Sequence, residues 1–352
     1  MHLEWRHCEE RSDEAIQFAP LDCFATLAMT AKKVSGAAMI PPVRPIELAD
    51  IEAARERIAG TVLRTPLVRL DERIWLKLEN LQPTNAYKIR GATNAVARLS
   101  DEERAKGVWT ISAGNAGQGV AYAARQLGVP SAVVAIETAP QTKLDRMRAL
   151  GAEIVPVSYE RAWVAAEAHE FPGLDGTFVH PFDNHDFIAG HGTMGLEILE
   201  DLPEVRTVIC AIGGGGLITG VGSAIKAKRP DVKVLGAEPE TAAPYALSLR
   251  EGGPRKFENW QASFVDGAGG KSVIERMWQR MRPVTDGAIT VTLDQTRDAM
   301  RLIAEKSRTV AEGAGALSLA AALSDQSLEG PIVCVVSGGN IDLEKFAELV
   351  TA

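Results

Sequence analysis

From Ile51 onward the chain alternates short runs of β-branched residues with amphipathic helical patterns, and this alternation constrains its fold more than any other feature. When each strand is followed by a helix before the next strand, the strands pair in parallel and the helices cover the sheet faces. Candidate strands fall at residues 108–111, 132–136, 153–157, 207–212, 232–237 and 332–336, each followed by a glycine or polar turn and then a helical pattern. Residues 89–99 place Ile89, Ala92, Val96 and Leu99 on one helix face, and residues 117–127 do the same with Val120, Ala124 and Leu127. The expected class is α/β, with parallel sheets flanked by helices. A chain of 352 residues, 46% of them hydrophobic, is long enough for two domains. In open sheets of this kind ligands bind beyond the carboxyl ends of the strands. Segments 112–118, 213–216 and 337–340 all fall there and are expected to line one cleft. Residues 251–271, glycine-containing and without clear periodicity, are expected to form a long loop.

Charge and composition narrow the function. A formal net charge of -8 and the lack of a basic run with interleaved aromatics argue against nucleic acid. No apolar stretch reaches the roughly 20 residues of a membrane span. The four cysteines, Cys8, Cys23, Cys210 and Cys334, show no CxxC or Cys/His ligand spacing, and the last two lie in apolar strand-like runs, as buried thiols of a cytoplasmic protein would. His180, His185 and His191 also lack metal-ligand spacing and are expected as loop histidines, so no metal is assigned. The first 40 or so residues differ in character and resemble the translation of a dispersed bacterial repeat element read through in frame. Glu9, Glu10, Asp13 and Glu14 make the segment more acidic than a transit peptide, and it has no continuous signal-peptide apolar region. The natural start is expected near Met39, with residues 1–45 as a non-native or disordered extension.

Two remote motifs carry the chemistry. Lys88 sits in Pro83-Thr84-Asn85-Ala86-Tyr87-Lys88-Ile89-Arg90-Gly91-Ala92, after a polar, turn-forming stretch that predicts a helix start at Asn85 or Ala86. The positive end of a helix lowers an ammonium pKa and favours the free, nucleophilic amine. Most lysines at helix starts are solvated surface charges, so Lys88 gains weight only from its company. Gly213, Gly214, Gly215 and Gly216 follow an apolar strand and open a helix at Leu217. A tight turn is the competing reading, but each glycine costs about 0.5–1 kcal/mol relative to alanine, and an ordinary turn does not require four. The spacing is not that of a dinucleotide fingerprint. An amine together with a glycine cradle for an anion is what an aldehyde cofactor bearing a phosphate needs. Pyridoxal 5'-phosphate is such a cofactor: the amine forms its Schiff base and backbone N–H groups hold its phosphate. Ser112, Ala113, Gly114, Asn115, Ala116, Gly117 and Gln118 join a strand to a helix and could hold a carboxylate, while Ser337 begins the glycine-containing loop after the last strand. Ordinary βα turns are the competing reading of both loops.

With these four motifs in order, the chain from about Ile46 to the C-terminus resembles the fold-type II pyridoxal-phosphate enzymes of the threonine/serine dehydratase and serine racemase group. The resemblance implies a large cofactor domain from residues 46–98 and 188–352 and a small domain from residues 99–187. It also implies roles. Lys88 is then the Schiff-base lysine and the base that removes the Cα proton, Asn115 bonds the cofactor's phenolic oxygen, and Gly213 to Leu217 take its phosphate. Ser337 faces the pyridine nitrogen, the 112–118 loop grips the substrate carboxylate, and Glu312 lies near the cofactor or serves as a helix-start carboxylate. The implied reaction is α,β-elimination from a 3-hydroxy amino acid such as threonine or serine, giving a 2-oxo acid and ammonia. The expected partners are a small-molecule amino acid substrate and a second copy in a homodimer.

Departures from the family pattern refine this expectation. Ala113 stands where racemases carry a serine that reprotonates Cα, which ranks elimination above racemisation; a β-replacement synthase is a further rival. A divalent-cation site of relatives maps to Glu238, the Ala242 carbonyl and Pro244, so one acidic ligand is missing. Ala86 and Ala116 stand where relatives carry a serine and a histidine, which predicts extra room for a bulkier substrate such as phenylserine.

Overall fold

The computed structural model describes residues 40–351 of the chain, and these form one compact unit. The expected natural start near Met39 and residues 1–39 of the extension lie outside the described residues. The strands are β1 (Leu67–Arg69), β2 (Ile74–Leu78), β3 (Val108–Ile111), β4 (Ser131–Ile136), β5 (Glu153–Val157), β6 (Thr177–Phe178), β7 (Thr207–Ala211), β8 (Lys233–Pro239), β9 (Gly287–Val291) and β10 (Ile332–Val336). The helices are α1 (Leu48–Ile58), α2 (Lys88–Ala97), α3 (Asp101–Lys106), α4 (Asn115–Leu127), α5 (Gln141–Ala149), α6 (Tyr159–Ala168), α7 (His185–Asp201), α8 (Gly216–Lys228), α9 (Pro244–Glu251), α10 (Glu275–Met281), α11 (Leu293–Ser307), α12 (Gly313–Ser324) and α13 (Leu343–Thr351).

The strands form two sheets, one in the order β1-β2-β10-β7-β8-β9 and one in the order β5-β4-β3-β6. Every pairing is parallel except that of the edge strand β1 with β2, which runs antiparallel. Side chains alternate between faces with the two-residue period of a strand. In β7, Val208 and Cys210 pack toward α7 and α8, whereas Ile209 and Ala211 pack toward α11 and α12. In the smaller sheet Val134 meets α6 and Val133 meets α4 and α5. Cys210 and Cys334 are buried free thiols within these layers.

Topology places the ligand crevices. In the larger sheet, successive strands run from β7 through β8 to β9 on one side, while β10 lies on the other. In the smaller sheet they run from β3 through β4 to β5, with β6 opposite. Each reversal separates the helices that flank it and leaves a crevice at the strand carboxyl ends. The loops after β7 and β10 flank the first reversal, and the loop after β3 sits at the second. Among the described residues no helix is long and apolar enough to cross a membrane.

Candidate active site

The loops converge on a cleft of about 470 Å³ whose wall includes Lys88, the run Ser112 to Ala116, Gln118, Gly214, Glu312 and Ser337. Lys88 is the first residue of α2, two to three positions later than its polar lead-in predicts. The reason is a pairing with a distant loop. Asn85 has a left-handed φ of 53°, Ala86 bridges to Gly338, and the Tyr87 N–H donates to the Ser337 carbonyl at 3.0 Å. The segment before the lysine is thus paired with the loop after β10, and the helix begins only when that pairing ends. Ala86 is fully buried in this contact and is absent from the cleft wall, so its methyl does not enlarge the cleft.

Two residues further along α2, the buried Arg90 anchors the helix. Its guanidinium meets Glu79 at 2.8 Å and Glu197 at 2.7 Å, while the fully buried Lys77 meets Glu197 at 2.6 Å. Two positive and two negative groups balance, which is the condition for keeping charges in a dry interior. The Lys88 side chain is half-buried, and its Nζ donates to the Pro181 carbonyl at 2.7 Å. Burial pushes its pKa down to about 7, so near neutral pH a large share of the amine is unprotonated.

Asn115 starts α4. Its Oδ1 accepts from Asn340 Nδ2 at 2.8 Å and its Nδ2 donates to Glu312 Oε1 at 2.6 Å. The orientation of the amide is therefore fixed, and one of its two N–H donors remains for a ligand. Glu312 is at the N-cap position of α12, but its carboxylate does not cap the helix and turns to Asn115 instead. Burial, with Asp266 nearby, pushes its pKa up to about 7. Ser337 is buried, with its hydroxyl 3.3 Å from the Ala314 carbonyl.

Both expected cradles retain donors. No hydrogen bond among the described residues takes up the N–H groups of Gly214, Gly215 or Gly216 at the start of α8. The same holds for Asn115, Ala116 and Gly117 at the start of α4, and the buried Gln118 Nε2 on the cleft wall has no partner. Orphan donors at helix starts suit anions. Of the tetraglycine run only Gly214 reaches the cleft surface, and the Leu217 side chain lies in the core. Packing explains part of the glycine pattern. A Cβ on Gly214 would fall 2.2 Å from the Phe182 ring, and Gly215 combines a φ of 87° with the Met281 sulfur 2.3 Å from its Cβ direction. At these two positions the protein itself demands glycine.

The three histidines are not all in loops. His180 is in a loop, but His185 opens α7 and His191 lies inside it, because Asn184 caps the helix by accepting from Phe187 N at 2.9 Å. His191 is fully buried against Tyr87 and Phe187, and burial holds it well below the usual histidine range. Glu238 accepts from the N–H groups of Tyr245 at 2.9 Å and Ala246 at 2.7 Å, so both its oxygens are engaged by α9. Sequence reading missed several residues of the cleft wall: Tyr87, Lys143, Pro181, Phe182 and Asp266, with Asn340 noted only as part of a loop. A paired Lys143 and Asp266, 2.7 Å apart, leave no local sequence signal because they lie in distant segments.

The sequence profile of the pyridoxal-phosphate dependent enzymes matches residues 58–338. The chain belongs to this family. It is 40% identical to an L-threonine ammonia-lyase of Thermotoga maritima over 316 residues, covering 87% of this chain and 78% of the relative. It is 36% identical to a catabolic L-threonine dehydratase of Staphylococcus aureus over 319 residues, covering 87% and 92%. Among solved structures, maize serine racemase superposes with a TM-score of 0.80 at 35% identity, covering 87% of this chain and 97% of the racemase. Pyridoxal phosphate is the cofactor of the family, and the residues here fit it: a half-buried, partly neutral amine, free donors at two helix starts, and a buried hydroxyl on one wall.

Proposed function

We propose that this pyridoxal-phosphate enzyme is an ammonia-lyase that converts a 3-hydroxy amino acid to a 2-oxo acid and ammonia, as the names of its threonine ammonia-lyase and dehydratase relatives suggest. The observation that carries the reading is the Lys88 amine, held at a pKa of about 7 on the wall of a cleft that faces it with orphan donors. When bound, pyridoxal phosphate supplies an aldehyde for amines and an electron-withdrawing ring that acidifies the substrate Cα–H.

The chain's own residues do the rest. Lys88 would hold the cofactor, and its amine, in large share free near neutral pH, has the basicity to take the substrate Cα proton. The N–H groups of Gly214, Gly215 and Gly216 receive the phosphate. Gln118 and the first turn of α4 receive the substrate carboxylate and so fix which bond faces the amine. The remaining Asn115 N–H points a donor at the cofactor, and Ser337 offers a neutral hydroxyl to its ring. Ala113 presents a methyl on the cleft wall, which favours elimination over reprotonation of Cα. The two sheets are read as the cores of the small domain (residues 99–187) and the large domain (residues 46–98 and 188–352).

The test is an assay of L-threonine and L-serine for 2-oxo acid, with chiral analysis of recovered amino acid. Elimination in the wild type and its loss in a folded Lys88→Ala protein are expected. Inversion of configuration without 2-oxo acid would replace the lyase reading with that of a racemase.

A further inference from the structure

Beside the cleft lies a second cavity of about 530 Å³. The two share Ile111, Ser112, Ala113, Ile136, Pro181 and Phe182, so they meet along a common wall. Lys88 Nζ touches that wall, at 2.7 Å from the Pro181 carbonyl. Whatever is held at the amine is therefore next to the second cavity.

The chemistry of the second cavity differs from that of the cleft. Beyond the shared residues it is walled by Val134, Tyr159, Ala162, Trp163, Ala166 and Ile274. Several of its polar groups are engaged with one another. Asp183 is paired with Arg276 and Arg280, His180 Nδ1 accepts the N–H groups of Phe182 and Asp183, and Glu167 accepts the Trp163 indole N–H at 2.8 Å. Apolar and aromatic side chains make up most of its wall, so an apolar group entering it would leave water for a matching surface. The methyl of threonine would use little of this volume.

We propose that this cavity receives the substrate side chain and that the substrate class is a 3-hydroxy amino acid bearing an aryl or branched-alkyl group at Cβ. The proposal rests on the elimination reading for its chemistry but not for its location. The room that the sequence assigned to Ala86 lies instead past Ile111, Ile136 and Phe182, where the ends of β3 and β4 meet the 180–183 loop.

The experiment compares L-threo-phenylserine with L-threonine as substrates, and L-phenylalanine with L-alanine as unreactive ligands titrated by the cofactor absorbance. In the wild type, kcat/KM for phenylserine at least equal to that for threonine is expected, with phenylalanine binding at least tenfold more tightly than alanine. Ala166→Trp, which fills the cavity from α6, should lower both phenyl preferences tenfold or more and leave threonine within twofold. Trp163→Arg, at an exposed position and so without risk to folding, should act in the same direction by placing a charge at the rim. A wild-type preference for threonine and alanine would overturn the proposal, as would variants that change both ligand classes equally or change neither. If neither hydroxy amino acid is turned over, the elimination reading fails, and the phenylalanine-to-alanine binding ratio still decides the cavity's role.

Discussion

Replacing Gly214 with alanine separates what the cofactor requires of the tetraglycine run from what the fold requires. The new methyl would lie 2.2 Å from Phe182 Cγ and 2.4 Å from its Cδ1. Ordinary carbon contacts need about 3.5–4.0 Å, so the ring must retreat by roughly 1.3 Å or more. Overpacking of this degree costs about 1–3 kcal/mol, from which the smaller entropy of an unfolded alanine returns about 0.4–1 kcal/mol. A net loss of about 1–2 kcal/mol in the cofactor-free protein is expected from urea unfolding analysed by linear extrapolation. Gly213→Ala provides a milder contrast, because its Cβ would lie 3.0 Å from the Gly267 carbonyl oxygen and 3.5 Å from Ala268 Cα, so it should cost less stability than Gly214→Ala. A double-mutant cycle isolates the cause. In a Phe182→Ala background the ring is gone, and Gly214→Ala should become neutral or slightly stabilising, giving a coupling of about 1–3 kcal/mol. In the wild-type background the displaced ring intrudes on the cleft wall, and the pyridoxal phosphate dissociation constant, followed by absorbance, should rise about tenfold or more. An equal stability cost in both backgrounds would refute the packing argument, and unchanged cofactor affinity would refute the placement of Gly214 at the phosphate.

Three further outcomes are expected. Since the reactive form of Lys88 is the free amine and its pKa lies near 7, the rate of pyridoxal phosphate capture by cofactor-free protein should rise about tenfold from pH 6 to pH 8 and then level off; a rate still climbing toward pH 10 would contradict the depressed pKa. Arg90→Leu leaves Glu79 and Glu197 with Lys77 as the one buried cation near them, and should cost about 3–5 kcal/mol in chemical denaturation, whereas a loss below about 1 kcal/mol would show that the network relaxes freely. With both Glu238 oxygens engaged by the start of α9, EDTA should leave the melting temperature and activity unchanged; a loss restored by Mg²⁺ or Ca²⁺ would reveal a cation site that these contacts conceal.

The sequence exposed the strands that obey a simple rule. β3 and β10 are continuous buried or half-buried runs and β5 is a short β-branched run, and the bounds of all three agree with the expected 108–111, 153–157 and 332–336. β1 was invisible because three residues carry no period, and β2 because Lys77 interrupts Ile-Trp-Leu-Lys-Leu with a charge. That charge is compatible with a central strand only because Glu197, 120 residues away, lies 2.6 Å from it. The expected start of α2 failed for a similar reason: capping chemistry at Asn85 was read locally, while the segment is in fact held by the loop after β10.

The site shows the same division between local and distant causes. Lys88, the 112–118 segment, Gly214, Glu312 and Ser337 were legible one motif at a time because each sits at a strand end or helix start. Their mutual arrangement depends on contacts between the sheets. Asn115 and Arg146, which follow β3 and β4, both reach Asn340 after β10, and Lys143 reaches Asp266. Asn340 Nδ2 also donates to the Thr84 carbonyl at 2.8 Å, just before the lysine segment. One amide therefore fixes the orientation of Asn115 and ties it to the chain that leads to Lys88. A ligand bridging the amine and the Asn115 donor would bind across that same linkage.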